Sequence, residues 1–220
     1  TCSDTKKLKI PAHLLICELY QKKGMPFLAL ENAEAALNTE PENIGALLAA
    51  ASSALSVQRF SLASEYARDA INADPENAEA HRLLGTAQRH AGQVDASLSH
   101  LKKACQLAPK SGRAHYGYGL SLSEAGRKEE AKEEWERAAE LLENPRTAYT
   151  RLGMMAQQDK RVDQAREYYA RALEADPRAA AVAANNLADI LLDEEDSVPL
   201  ALALAYLAYS NAEIESLRIQ

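Results

Sequence analysis

His13, His81 and His115 stand 68 and then 34 residues apart. Imidazoles repeated at one place on successive helices would suit a metal site or a proton relay. A metal needs several ligands at about 2.1 Å, and neighbouring helices stand about 8–10 Å apart. Only His81 and His115 would approach each other, and a small metalloenzyme would have to use that pair. The expectation is instead that each histidine is a flat, half-buried residue with one hydrogen bond, with no metal and no cofactor. Cys2, Cys17 and Cys105 match no metal-ligand spacing, and three cysteines make no disulfide framework, so free thiols are expected. No glycine-rich phosphate loop, HExxH or G-x-S-x-G motif occurs, and no catalytic residue is assigned. The acidic run at 127–143 alternates with Lys128 and Lys132 at helical spacing and reads as a solvated helix face, with Trp135 turned into the core.

The composition favours helices. The chain has 220 residues, 47% of them apolar but only 5% aromatic, and its net charge is −7. Abundant alanine allows close helix–helix contact. Without a basic stripe, no nucleic-acid binding is expected. No run of about 20 apolar residues exists to span a membrane.

The elements that position these residues come from a period. Pro41, Pro75 and Pro109 are 34 apart; Pro145 falls two residues late, and Pro177 restores the register. Units then start near residues 10, 44, 78, 112, 146 and 180. The domain expectation is a tail over 1–9 and one array over 10–220, with units 10–43, 44–77, 78–111, 112–145, 146–179 and 180–220. Counting from each unit start, position 27 is alanine six times: Ala36, Ala70, Ala104, Ala138, Ala172 and Ala208. Position 20 is Ala29, Ala63, Ser97, Ala131, Ala165 and Ala201. Position 8 carries Gly85, Gly119 and Gly153 in the middle units. Small residues there let two antiparallel helices cross closely. Position 15 is glycine in Gly24, Gly92 and Gly126, as the end of a first helix prefers; Arg59 and Lys160 are read as its replacements. In "ADPEN" (73–77), Pro75 stops one helix and Asp74 is expected to cap the next.

This pattern resembles the tetratricopeptide repeat. The carrying stretches are "AEAHRLLGTAQRHAGQVDASLSHLKKACQLAP" (78–109), "RAHYGYGLSLSEAGRKEEAKEEWERAAEL" (113–141) and "TAYTRLGMMAQQDKRVDQAREYYARALEADP" (147–177). The resemblance covers roughly residues 10–215. It implies an all-α, right-handed superhelical solenoid of about six helix-turn-helix repeats, first helices lining its concave side. It also implies a non-catalytic scaffold that takes a peptide or helical segment of a protein partner in its groove. Groove positions carried over from the family fall on Arg82, Thr86, Arg89, Arg113, Tyr116, Leu120, Arg151 and Met154. Arginine suits carboxylates, and Arg and Tyr are frequent anchors of interfaces; Glu79 and Glu124 are near enough in sequence to neutralise some of these cations. The carboxylate clamp of some family members does not carry over, since Leu14, Glu18, Ala49, Glu79 and Leu83 stand where its Lys, Asn and Arg residues belong.

The last helix is apolar on too many sides. Leu200, Leu202, Tyr206, Leu207 and Tyr209 cannot all face inward, which points to an oligomer or domain interface. Alternatives to a groove scaffold are therefore an accessory domain of a larger enzyme, such as a transferase, and a homo-oligomer formed through that helix. Such alanine-rich arrays are familiar from bacterial assembly systems. The localisation expected by default is cytoplasmic. It becomes periplasmic or membrane-associated if a signal or anchor, for instance at Cys2, was removed.

Overall fold

The computed structural model describes residues 2–192 and 197–218, with side chains placed for 10–192, 197–206 and 208–209. Leu207's side chain therefore lies outside the described residues. Twelve α-helices and no strands occur among them. The first helices of the units are α1 (Cys2–Lys22), α3 (Ile44–Ser56), α5 (Ala78–His90), α7 (Gly112–Glu124), α9 (Arg146–Gln158) and α11 (Ala181–Leu192). The second helices are α2 (Pro26–Leu37), α4 (Phe60–Ala73), α6 (Val94–Leu107), α8 (Lys128–Leu141), α10 (Val162–Ala175) and α12 (Val198–Arg218). From α3 to α9 the first helices begin at the unit starts read from the period. At the amino end, residues 2–9 belong to α1, which carries Pro11 inside it.

The helices pack as two units, residues 1–110 with 120–126, and residues 111–119 with 127–220. Within the first, α1/α2, α3/α4 and α5/α6 are hairpins, and each of α3 and α5 also packs on the second helix before it. Within the second, α9/α10 and α11/α12 repeat that arrangement, with α9 against α8 and α11 against α10.

Three sequence rules operate inside each unit. Alanine or serine at position 20 is 0–1% exposed in all six repeats, and alanine at position 27 is 0% in five and 8% at Ala208. Glycine at position 8 faces the large residue at position 24. A Cβ on Gly85 would stand 2.7 Å from Leu101 Cγ, one on Gly119 2.5 Å from Trp135 Nε1, and one on Gly153 2.5 Å from Tyr169 Cε1. Where position 24 shrinks to Ala33 or Ala67, position 8 grows to Cys17 or Ala51, and all four are buried. Each pair fills a similar space with opposite partners, as close packing demands.

The turn at position 15 is left-handed in every described case: φ is +70° to +76° at Gly24, Gly92 and Gly126, +59° at Gln58 and +60° at Lys160. Gln58, not Arg59, therefore takes the glycine's place, and Arg59 is the N-cap of α4. Left-handed backbone costs a residue with a Cβ about 1–2 kcal/mol, partly offset by the entropy glycine loses on folding. Lys160→Gly is expected to raise stability by about 0.5 kcal/mol, and Gly92→Ala to lower it by about 1 kcal/mol. Urea midpoints of the two variants against the parent check both signs.

The "ADPEN" junction also differs from its expected form. Asp74 is the C-cap of α4, and its carboxylate accepts from the Glu76 N–H at 3.1 Å. The N-cap of α5 is Asn77, whose Oδ1 accepts from the Ala80 N–H at 3.0 Å. Asn43 does the same for α3 through the Ala46 N–H at 3.0 Å.

Candidate functional site

The histidines resolve into a cross-hairpin rule. Position 4 of each first helix faces position 23 of its second helix, 19 residues on. His13 Nδ1 is 3.4 Å from Asn32 Oδ1, and His115 Nδ1 is 2.5 Å from Glu134 Oε2. His81 Nδ1 is 3.0 Å from His100 Nδ1, and its Nε2 donates to the Pro75 carbonyl at 3.1 Å. That donation leaves the neutral His81 Nδ1 as acceptor and His100 Nδ1–H as donor. Burial first, with the Arg68 cation nearby, lowers the His100 pKa from its usual value. The equivalent pairs are apolar or aromatic elsewhere, Leu47/Tyr66 packing together and the Tyr149 and Tyr168 rings 6.4 Å apart. The repeated histidines thus hold hairpins together.

A second regular link joins successive repeats within each unit. Tyr66 Oη donates to Glu34 Oε1 at 3.0 Å in the first unit, and Tyr168 Oη to Glu136 Oε1 at 3.2 Å in the second. Burial, with the adjacent Glu34 carboxylate, pushes Tyr66 up to about 12.

Groove positions in the first unit are already occupied by internal ion pairs. Arg82 grips Glu79 in a fork, Nε to Oε2 at 2.7 Å and Nη2 to Oε1 at 2.6 Å. Arg89 donates to Glu124 Oε1 at 2.7 Å and contacts His90 Nε2 at 2.8 Å. His90 stacks on Phe60 with ring centroids 4.8 Å apart. Burial first, and the Arg89 cation second, lower the pKa of His90. Thr86 Oγ1 donates to the Arg82 carbonyl at 2.8 Å, and Leu120 is half-buried. These cations serve the scaffold's own acids.

The second unit leaves Arg151 open at its groove. A cleft of about 330 Å³ runs between α7, α9 and α11, lined by Tyr116, Arg146, Thr150, Arg151, Met154 and Val182 among others. Tyr116, Arg151 and Met154 were named from the sequence. Arg146, Thr147 and Val182 were not; Thr147 is position 2 of the fifth repeat, and Val182 becomes position 2 of the sixth once the added residue near Ala180 is placed. Among the described residues Arg151 has no carboxylate partner, and Arg113 is likewise exposed and unpaired but does not line the cleft. Arg146 Nε is buried without a hydrogen-bond partner, 3.9 Å from Asp176 Oδ2. Val182 is 57% exposed at the cleft wall. Two guanidiniums beside a tyrosine, a methionine and a valine can hold a carboxylate next to an apolar side chain.

The α12 residues Leu200, Leu202, Tyr206 and Tyr209 are 55%, 62%, 74% and 63% exposed. No helix among the described residues is long and apolar enough to cross a membrane.

Comparison with known proteins agrees with the fold. Profiles of the tetratricopeptide repeat match residues 48–112, 92–147 and 147–179, more than half of the chain. No curated protein matches it. Among solved structures, a Pseudomonas aeruginosa protein described as pilF is 20% identical over 96% of this chain and 99% of its own, with a TM-score of 0.74. A thermophilic repeat protein from Thermus thermophilus is 23% identical over 83% of this chain and 99% of its own, with a TM-score of 0.72. YrrB, described as having an unusual peptide-binding site, is 20% identical over 78% of this chain and 88% of its own, with a TM-score of 0.56.

Proposed function

The chain belongs to the tetratricopeptide repeat family, and from that premise we propose that it is a non-catalytic scaffold holding an extended, acidic segment of a partner protein against the first helices of its second unit. The observation that carries this reading is the cleft at Arg151. It pairs an exposed cation without an internal partner with apolar walls at Tyr116, Met154 and Val182. Its volume of about 330 Å³ suits one or two side chains, at the lower end of the range for ligand pockets. The peptide-binding site named for YrrB supports the mode of binding. Thr150 Oγ1 spends its proton on the Arg146 carbonyl at 2.8 Å, so it offers the ligand an acceptor only. Specificity for acids then falls to the arginines.

Selection of a random displayed-peptide library on the purified chain tests this. Enriched peptides are expected to place Asp, Glu or a free C-terminus beside an apolar residue. By fluorescence anisotropy, Arg151→Glu should weaken the best of them at least about tenfold, a loss of about 1.4 kcal/mol. Arg82→Glu should leave it unchanged, because Arg82 already serves Glu79. Peptides that bind the Arg151→Glu variant as tightly as the parent, or a selection with no enrichment, would sink the assignment.

A further inference from the structure

Every internal first helix buries one stripe at positions 3, 7 and 10. In α3 these are Ala46, Ala50 and Ser53, all 0% exposed, and their equivalents in α5, α9 and α11 are no more than 8% exposed. In α3, α5, α9 and α11 the stripe is covered because the helix packs on the second helix before it. The residue at position 3 is the knob. Ala46 sits among Leu14, Ala36 and Leu37, and Ala148 among Tyr116, Ala138 and Ala139. These are positions 5, 27 and 28 of the preceding repeat in both units.

In α1 the same stripe is bare. Ala12 is exposed, Ile16 is 38% exposed and Leu19 is 50% exposed. In the sixth repeat the matching hole is open. A cleft of about 420 Å³ lies between α11 and α12, with Asn185, Ala208 and Tyr209 at positions 5, 27 and 28, and Ala205 beside them. Ala205 is exposed, whereas its position-24 equivalents Ala33, Ala67 and Tyr169 are 0% exposed. Leu202 and Tyr206 extend the same exposed face of α12.

We propose that copies of this chain associate head to tail, with the Ala12, Ile16 and Leu19 stripe of one copy seated in the α11/α12 cleft of the next. The occupant follows from continuity: knob and hole are those that already join repeats inside the chain, at the same positions. Among the described residues, both halves of that joint are exposed. The contact is heterologous, so assembly grows by addition and does not stop at a symmetric pair. This differs from a homodimer in which two α12 helices meet, which would use Leu202 and Tyr206 on both sides and leave α1 idle.

Complementation separates the arrangements. Light scattering of the parent from low to high micromolar concentration should show mass rising beyond two chains. Ala12→Glu destroys the knob and Ala205→Glu the hole, so each variant alone should be monomeric. Their equimolar mixture keeps one intact knob and one intact hole and should form a heterodimer of two chains and no more. Leu19→Glu and Tyr206→Glu, both at exposed positions, provide a second pair if either first variant fails to match the parent's circular dichroism. The proposal is overturned by a parent that stays monomeric, by a mixture that stays monomeric, or by a dimer that Ala12→Glu leaves intact. The last result would assign the contact to α12 alone.

Discussion

Gly153→Ala is expected to destabilise the second unit by about 2 kcal/mol net, although it places a better helix former in the middle of α9. Helix propensity alone would favour alanine by about 1 kcal/mol. The added methyl would stand 2.5 Å from Tyr169 Cε1, 2.6 Å from Cδ1 and 3.0 Å from Cζ. The ring has nowhere to go. Tyr169 is 0% exposed, and its hydroxyl donates to Gln157 Oε1 at 2.8 Å while accepting from Asn186 Nδ2 at 3.0 Å. Relief requires moving a buried ring whose hydroxyl is held by two hydrogen bonds or parting α9 from α10, and overpacking of this kind costs about 1–3 kcal/mol or more. Urea unfolding followed by circular dichroism reads the loss. The decisive comparison is the Tyr169→Ala background, where the ring is absent and position 8 faces the same small partner that Ala51 faces in Ala67. There Gly153→Ala should become neutral or stabilising. An equal cost in both backgrounds would show that the clash is not its origin.

That pairing of positions 8 and 24 shows what could and could not be read from the chain alone. Small residues at positions 8, 20 and 27 were legible because alanine and glycine recur at one period, and close helix crossing is the reason for such recurrence. Helix starts at Ile44, Ala78, Gly112 and Arg146 were legible from the same register. Individual junctions were not. Asp74 and Asn77 are both capping types, and only backbone geometry shows that Asn77 reaches the Ala80 N–H while Asp74 closes the turn behind α4. The left-handed turn fell on Gln58 and not Arg59 because no glycine marked the place, although strict counting by 34 would have found it.

The histidine pairs were hidden for a different reason. Residues 19 apart meet only after the first helix and its turn have reversed the chain, so linear spacing does not show them. The groove was half legible. Glu79 and Glu124 were visible as acids near Arg82 and Arg89, and the structure shows that they engage them. The open cleft lay one repeat further on, where one extra residue near Ala180 obscured the register and kept Val182 out of the expected set.

Glu134→Leu is expected to cost about 3 kcal/mol, since it removes one member of a buried polar pair and leaves the other in place. The His115 and Glu134 side chains are only 7% and 11% exposed, and they meet at 2.5 Å. Glu134 Oε1 also accepts from Arg137 Nη1 at 3.1 Å, but Arg137 is 56% exposed and returns to water at little cost. Glu134→Gln keeps an acceptor opposite Nδ1, so its cost should fall to about 1 kcal/mol. The chain itself supplies the control. Positions 4 and 23 hold Tyr149 and Tyr168 in the fifth repeat, stacked 6.4 Å apart with no ion pair between them. Copying that solution as His115→Tyr with Glu134→Tyr removes both polar partners together and should return stability to within about 1 kcal/mol of the parent. A strongly non-additive double-mutant cycle from urea midpoints is the expected result. Additive costs, with the double variant as unstable as the sum of its singles, would mean that shape at this crossing decides stability and the hydrogen bond does not.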